Sequence, residues 1–185
     1  MNKFNNVIVV GKKDYVIAVN FNDYNDRTPD CVYYNKTKLP FKYENDFATG
    51  LNSLYVIVSY LDKIKTEVLT GKLNQVSYIV VPDVIYDKIN KGTYKNWVLK
   101  GGYVNSKKEM DKLELQLWER FLSLYNEIFA YVEFKRLSLY NMKKPKFNVQ
   151  HVRYVNNVIK QCWELIAQHE DVELNTVLDL AEAQA

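Results

Sequence analysis

The sequence predicts an α/β fold in which helices pack on the faces of a mixed β-sheet. Three observations predict it: short β-branched runs near the N terminus, a nearly continuous apolar run at residues 76–81, and long segments with apolar residues at helical spacing. A strand covered on both faces carries such a continuous apolar run, whereas a strand with one solvated face alternates. The order of these signals therefore favours a layered fold with a mixed sheet.

The N-terminal quarter of the chain predicts two strand pairs. Four runs rich in apolar, β-branched or aromatic residues predict strands at residues 7–10, 15–21, 31–34 and 38–43. Residues 11–14 predict a hairpin turn, and residues 22–30, which are rich in Asn, Asp, Thr and Pro, predict a loop. Pro40 places the fourth run at a sheet edge, because proline cannot donate to a strand ladder.

The middle of the chain predicts a helix, a central strand and a short helix. Residues 51–65 carry apolar side chains close to the three-four spacing of one helical face, with Thr49 as the N-cap and Gly71 at the exit. The apolar run 76–81 then predicts a central strand, and residues 83–90 predict the short helix.

The C-terminal half predicts the strongest helix at residues 107–126, a strand at 128–137 and a last long helix at 149–167. Residues 172–185 predict a short acidic helix or a frayed tail. Because the chain has neither an internal repeat nor a linker, we expect residues 1–185 to form one domain.

Composition limits the class of protein. With 185 residues, of which 48% are hydrophobic and 25% charged, the chain can bury one substantial core. Its apolar runs are too short to span a bilayer, and no signal-peptide pattern opens it, so we expect no membrane partner. Cys31 and Cys162 predict no disulfide framework, which favours a reducing, cytoplasmic location. Abundant Lys, Asn, Tyr and Ile indicate an AT-rich genome, as in a virus, a phage or a low-GC bacterium.

Charge is distributed unevenly along the chain. Residues 84–112 carry seven Lys against three acids, and residues 135–160 carry seven Lys or Arg and no acid. Residues 164–185 carry six acids and no Lys or Arg. The two basic stretches would attract a polyanion and the acidic end would repel it, unless all three are ordinary solvated faces.

One stretch carries a family resemblance. A buried strand ends in Pro82 and Asp83, and a short helix, a basic segment bearing Trp97 and Gly101-Gly102, and an amphipathic helix follow it. In order and residues this stretch resembles the second half of a ribonuclease H domain. The resemblance covers about residues 15–168 and leaves an acidic segment at 169–185. It implies a mixed five-stranded sheet flanked by helices.

The resemblance also implies a catalytic site. Enzymes of the family cleave the RNA strand of an RNA–DNA hybrid, using four carboxylates that hold two divalent metals such as Mg²⁺ or Mn²⁺. The carboxylate of the fourth strand matches Asp83. The first-strand position falls on Asn20, with Asp23 as the nearest acid, or on Val10 beside Gly11 if residues 7–10 are the first strand.

The other two carboxylate positions fall on neutral side chains: Asn52, Ser53 or Leu54 in the first helix, and Asn156 or Asn157 in the last. A site with one or two charges instead of four would hold two metals poorly, which predicts a pseudoenzyme. A shifted register would instead recruit nearby acids and give an active enzyme: Glu44, Asp62 or Asp87. Asp83 itself has a purely structural alternative as a helix N-cap.

The basic segments are the candidate nucleic-acid contacts. Cations and aromatic residues are interleaved after the predicted central strand and short helix: Lys91, Tyr94, Lys95, Trp97, Lys100, Lys107 and Lys108. Lysines neutralise phosphates and aromatic faces stack on bases, so we expect this loop to bind nucleic acid. The alternative is that Trp97 and Tyr103 anchor the loop on the core, and both roles can hold at once. Lys143 and Lys144 belong to a second basic patch, for which a solvated loop is the alternative.

Three functions remain open. The first is a ribonuclease H-like protein with a degraded metal site that binds an RNA–DNA hybrid or a similar nucleic acid. The second is an active, divergent ribonuclease H. The third is a viral or phage protein-interaction module that uses the same scaffold.

Overall fold

The computed structural model describes residues 6–12, 15–21, 29–34, 39–41, 46–73, 75–104, 106–140, 149–168 and 176–179. Six strands and five helices occur in these ranges. In chain order they are β1 (Asn6–Lys12), β2 (Tyr15–Phe21), β3 (Asp30–Tyr34), α1 (Asp46–Leu69), β4 (Ser77–Val81), α2 (Asp83–Asn90), α3 (Thr93–Lys100), α4 (Lys112–Ile128), β5 (Val132–Arg136), α5 (Val149–Gln168) and β6 (Thr176–Asp179). Short 3₁₀ turns flank β5 at Phe129–Tyr131 and Leu137–Tyr140.

The strands form one mixed sheet in the order β5-β4-β1-β2-β3-β6. The three N-terminal strands are antiparallel to one another, and β6 adds an antiparallel strand at the β3 edge. Strands β1 and β4 are parallel to each other, as are β4 and β5. The predicted α/β class with a mixed sheet is confirmed, and β6 is an additional strand that the sequence did not predict.

Two apolar cores lie on opposite faces of this sheet, because successive side chains of a strand point to opposite faces. Val7 and Val9 of β1 join the larger core, which includes residues of α1, α2, α3 and α4. Ile8 joins the smaller core, in which buried residues of α5 pack. The run 76–81 is apolar at nearly every position because β4 faces both cores.

Several predicted elements are confirmed. The hairpin of β1 and β2, the central position of β4, the short helix α2 and the last helix α5 all form close to their predicted bounds. Helix α4 begins later than predicted, because Asp111 is its N-cap: the Asp111 carboxylate accepts a hydrogen bond of 2.8 Å from the Leu113 N–H. No helix within the described ranges has the length and apolarity needed to cross a membrane.

Other predictions were wrong. Residues 39–41 of the predicted fourth strand are irregular, because the Phe41 N–H and carbonyl both bond to the Asn52 side chain instead of a neighbouring strand. The expected basic loop is in part the helix α3. Helix α1 begins at Asp46, so Thr49 lies inside the helix and is not its N-cap. The acidic C-terminal segment contributes the strand β6.

Candidate nucleic-acid interface and the site beside it

Asp83 lies where the resemblance places a carboxylate, directly after the carboxyl end of β4. Its carboxylate has a structural partner, since Asp83 Oδ1 accepts a hydrogen bond of 3.0 Å from the Ser138 N–H, in the turn after β5. The N-cap of α2 is Pro82, and Asp83 is the first residue of the helix, so the predicted N-cap role is wrong. Asp83 therefore ties the start of α2 to the chain that leaves β5.

One turn along α2, Asp87 makes a second tie to β5. Its carboxylate pairs with the Arg136 guanidinium, which also lies 4.9 Å from the ring centroid of Tyr86. The acids that a shifted register would recruit are therefore used elsewhere: Asp87 pairs with Arg136, and Asp62 forms a surface ion pair with Arg120. Glu44 and Asp23 lie outside the described residues.

The strand beside β4 is β1, and this fixes the first-strand position. Ile8 pairs with Val80 in the parallel register, so the carboxyl ends of β1 and β4 lie side by side at the same end of the strands. The position next to Asp83 is therefore that of Val10 and Gly11. Asn20, the preferred candidate, pairs with Val7 at the opposite end of the strands, so its assignment to the site was wrong.

Helix α1 fills the space at Gly11 where a side chain would extend. A Cβ atom on Gly11 would lie 2.6 Å from Thr49 Cγ2 and 2.8 Å from Ser53 Oγ, both shorter than ordinary van der Waals contacts. The Thr49 carbonyl oxygen would be 3.3 Å away, and it already accepts a hydrogen bond from the Ser53 hydroxyl. Glycine allows this close approach of helix to strand, and no carboxylate fits there without moving α1.

The neutral residues at the other two positions bind backbone. Asn52 is 3% exposed and forms a two-bond clamp with Phe41: Oδ1 accepts from the Phe41 N–H at 3.0 Å, and Nδ2 donates to the Phe41 carbonyl at 2.9 Å. Asn156 donates to the Tyr140 carbonyl at 2.9 Å. Among the described residues, no group of three or more His, Cys, Asp or Glu side chains could hold a metal. These residues do not fit a two-metal site.

The predicted lysines are exposed and lie on α3 and in its flanking segments, and we call this set the lysine surface. Its members are exposed, and within the described part of the chain none of them forms an ion pair: Lys91, Lys95, Lys100, Lys107 and Lys108. Lys108 Nζ lies 5.2 Å from the ring centroid of Phe47, which brings the segment after α3 to the start of α1. The cationic half of the predicted interface is therefore accessible to a ligand.

The aromatic residues of the predicted interface are core residues. Tyr94 is 1% exposed and stacks on Trp118 at 5.4 Å between ring centroids. Trp97 is 9% exposed, with Tyr103 edge-on at 5.1 Å and Lys88 Nζ above its ring at 4.8 Å. Burial raises the pKa of Tyr94 to about 12. The assignment of Tyr94 and Trp97 as nucleic-acid contacts was therefore wrong, and anchoring on the core is their role.

Helix α3 separates these two sets of side chains. It is bounded by Gly92 and Gly101, whose φ angles of 70° and 75° lie in the left-handed region that glycine adopts at little cost. Between them, Tyr94 and Trp97 point inward, while Lys95 and Lys100 point to solvent. The alternation of cations and aromatics in the sequence is thus the amphipathic pattern of a short helix.

No model of a known protein family matches the chain, and no curated protein matches it. The candidate function consequently depends on the side chains themselves. Those of the second basic patch, Lys143 and Lys144, lie outside the described residues.

Sequence reasoning missed Glu114, a buried carboxylate beside the lysine surface. Glu114 lies in the first turn of α4 and is 1% exposed. Burial raises the pKa of Glu114, while the hydrogen bond from Tyr103 and the positive charges of Lys88 and Lys108 oppose that effect. One signal was available, because Glu114 precedes the buried residues Trp118 and Phe121 by four and seven positions, on the same helical face.

Proposed function

We propose that this chain is a ribonuclease H-like protein that lacks a two-metal site and binds nucleic acid, such as an RNA–DNA hybrid, through its lysine surface. The observation that carries the proposal is the set of five exposed lysines that form no ion pair within the described residues. Exposed, unpaired cations on one surface give the positive potential that a phosphate backbone recognises.

The order of elements supports the ribonuclease H-like part of the proposal. The resemblance implies a meander of three antiparallel strands, a helix, a fourth strand, further helices with a basic segment, a fifth strand and a closing helix. The described elements from β1 to α5 follow this order, and β6 is added at the end. The filled space at Gly11 and the structural partner of Asp83 favour binding without metal-dependent cleavage.

The burial of the aromatic residues favours contacts with phosphates over contacts with bases. Each lysine that neutralises a phosphate of a duplex releases a counterion, and this lowers the slope of log K against log salt by about 0.9. Stacking on single-stranded bases requires exposed rings, whereas Tyr94 and Trp97 are buried. We therefore expect the affinity for nucleic acid to fall steeply with salt and to depend little on base sequence.

The first experiment tests cleavage and retention of a labelled RNA–DNA hybrid together. Wild-type protein and Asp83→Asn are incubated with the hybrid in Mg²⁺ or Mn²⁺, and retention is measured by fluorescence anisotropy. We expect no cleavage, salt-sensitive retention, and nearly equal retention by Asp83→Asn. Metal-dependent cleavage that Asp83→Asn abolishes would establish an active ribonuclease H instead.

A charge-matched pair of triple variants tests the lysine surface. Replacing Lys91, Lys95 and Lys100 by alanine should weaken retention and reduce the salt slope by up to about three. The control replaces three exposed lysines that lie outside this surface and carries the same loss of charge: Lys63, Lys72 and Lys160. If both triple variants lose the same amount of retention, the loss follows from net charge alone, and the lysine surface is refuted as the binding site.

A protein partner is the second candidate function. The observation in its favour is the exposure of two apolar side chains, Val84 of α2 at 62% and Leu99 of α3 at 80%. Leu99 lies between Lys95 and Lys100 in sequence on α3, where an apolar contact would complement the charges. Absence of both cleavage and retention in the first experiment would favour this candidate.

A further inference from the structure

Glu114 is the one charged side chain that is buried among the described residues, and it lies under the lysine surface. Burial of a carboxylate in an apolar environment costs free energy unless hydrogen bonds and charges compensate. A leucine could fill the same position of α4 without a polar group to desolvate. A buried carboxylate therefore indicates a requirement beyond packing.

The contacts of Glu114 connect four consecutive elements. Glu114 Oε2 accepts a hydrogen bond of 2.7 Å from the Tyr103 hydroxyl, and the Tyr103 ring meets Trp97 edge-on at 5.1 Å between centroids. Lys88 Nζ lies over the Trp97 ring, 4.8 Å from its centroid. Residues of α2, α3, the segment after α3 and the first turn of α4 are thus held by one network.

The segment at residues 101–111 depends on such side-chain contacts for its position. Its described residues belong to no helix or strand, and it carries Lys107 and Lys108 of the lysine surface. The chain turns at Gly101, and the Gly102 N–H donates to the Trp97 carbonyl. Beyond that turn, Tyr103 reaches the buried Glu114, and Met110 packs against the larger core near the end of the segment. The bond from Tyr103 to Glu114 therefore fixes the start of the segment.

We propose that Glu114 is a positioning residue, which through Tyr103 holds residues 101–111 so that Lys107 and Lys108 bind phosphate together with the lysines of α3. This inference rests on the proposed function. The charged and titratable groups that act on Glu114 are Lys88 of α2, Tyr103 and Lys108 of the segment, and Asp111 at the N-cap of α4.

Conservative variants separate the hydrogen bond from the charge. Tyr103→Phe removes the hydroxyl and keeps the ring on Trp97, so we expect retention of the hybrid to fall roughly three- to tenfold and the salt slope to drop by up to about two. Glu114→Gln keeps an acceptor for Tyr103, so retention should stay within about twofold of wild type. Glu119→Gln, at an exposed position of the same helix, controls for the lost negative charge.

A double-mutant cycle distinguishes positioning from a general loss of structure. In a Lys107→Ala/Lys108→Ala background, Tyr103→Phe should have no further effect on retention, because the lysines that it positions are gone. Hydrogen exchange without nucleic acid should show faster exchange of residues 101–111 in Tyr103→Phe, with α1 and β4 unchanged.

Two retention results would overturn the positioning role while leaving the proposed function intact. One is retention by Tyr103→Phe equal to that of wild type, and the other is the same fold-loss in the Lys107→Ala/Lys108→Ala background as in the wild-type background. Unchanged exchange of residues 101–111 would also overturn it, whatever the ligand. If wild-type protein does not retain the hybrid, the proposed function fails and this inference fails with it.

Discussion

The close approach of α1 to β1 at Gly11 predicts that Gly11→Ala destabilises the protein. The added Cβ would lie 2.6 Å from Thr49 Cγ2 and 2.8 Å from Ser53 Oγ. The Thr49 methyl cannot rotate away easily, because a β-branched side chain in a helix is restricted at χ1. The helix must therefore shift, or the two side chains must leave their preferred rotamers.

The expected magnitude combines two opposing terms. Overpacking a well-packed core costs about 1–3 kcal/mol, and the upper half of that range applies here because one neighbour is stiff. Alanine is more favourable than glycine inside a strand by roughly 0.5–1 kcal/mol, which offsets part of that cost. The net loss should be about 1–2.5 kcal/mol, equivalent to a fall in Tm of about 2–10 °C for a chain of this size.

Urea and thermal unfolding followed by circular dichroism would measure this loss, with Gly50→Ala as the control. A Cβ on Gly50, in α1, meets no atom within 4 Å, so that substitution should stabilise the helix by up to about 1 kcal/mol. The cost of Gly11→Ala should also shrink in a Ser53→Ala background, where one of the two nearest atoms is absent. A Gly11→Ala protein as stable as wild type would refute the close contact between Gly11 and α1. A carboxylate site at the carboxyl ends of β1 and β4 would then again be sterically possible.

Two further substitutions test the buried polar groups. Asn52→Ala removes both hydrogen bonds to the Phe41 backbone and should lower the free energy of unfolding by about 2–3 kcal/mol in urea titrations, whereas Asn96→Ala at an exposed position should stay within about 0.5 kcal/mol of wild type. Glu114→Gln tests the raised pKa of Glu114: relative to the unfolded value of about 4.3, a raised folded pKa gives a stabilisation that is present at lower pH and is lost as pH rises through the folded pKa. The free energy of unfolding of Glu114→Gln relative to wild type should therefore increase as pH rises above the unfolded pKa of about 4.3, and a difference independent of pH would contradict the burial of that charge.

The elements that sequence reasoning predicted are those whose signal is local. The apolar periods of β1, β2 and β4 report which faces of the sheet are covered, and those of α4 and α5 report one buried helical face. Each such signal needs only neighbouring residues to be read. It fails where a distant group takes over the backbone, as at Phe41, whose ladder bonds are replaced by those to Asn52.

The difference between local signals and contacts with distant residues also explains which features of the candidate site could be predicted. Exposed lysines were predictable because long cationic side chains rarely find buried partners in a chain of this composition. The burial of Tyr94 and Trp97 could have been predicted from their spacing of three residues between Gly92 and Gly101, which is the signature of a short helix. The partners of Asp83 and Asn156 could not, because Ser138 and Tyr140 approach them only in the folded chain.

The position of β6 bears on how the acidic end of the chain acts on the lysine surface. β6 carries Asp179 and lies at one edge of the sheet, whereas α2 is tied to β5, at the other edge, by the pair of Asp87 and Arg136. Five inter-strand spacings of about 4.8 Å separate those edges, or roughly 24 Å in all. That distance is about three Debye lengths at physiological ionic strength. A charge in β6 should therefore act little at physiological salt on a lysine beside α2, such as Lys91.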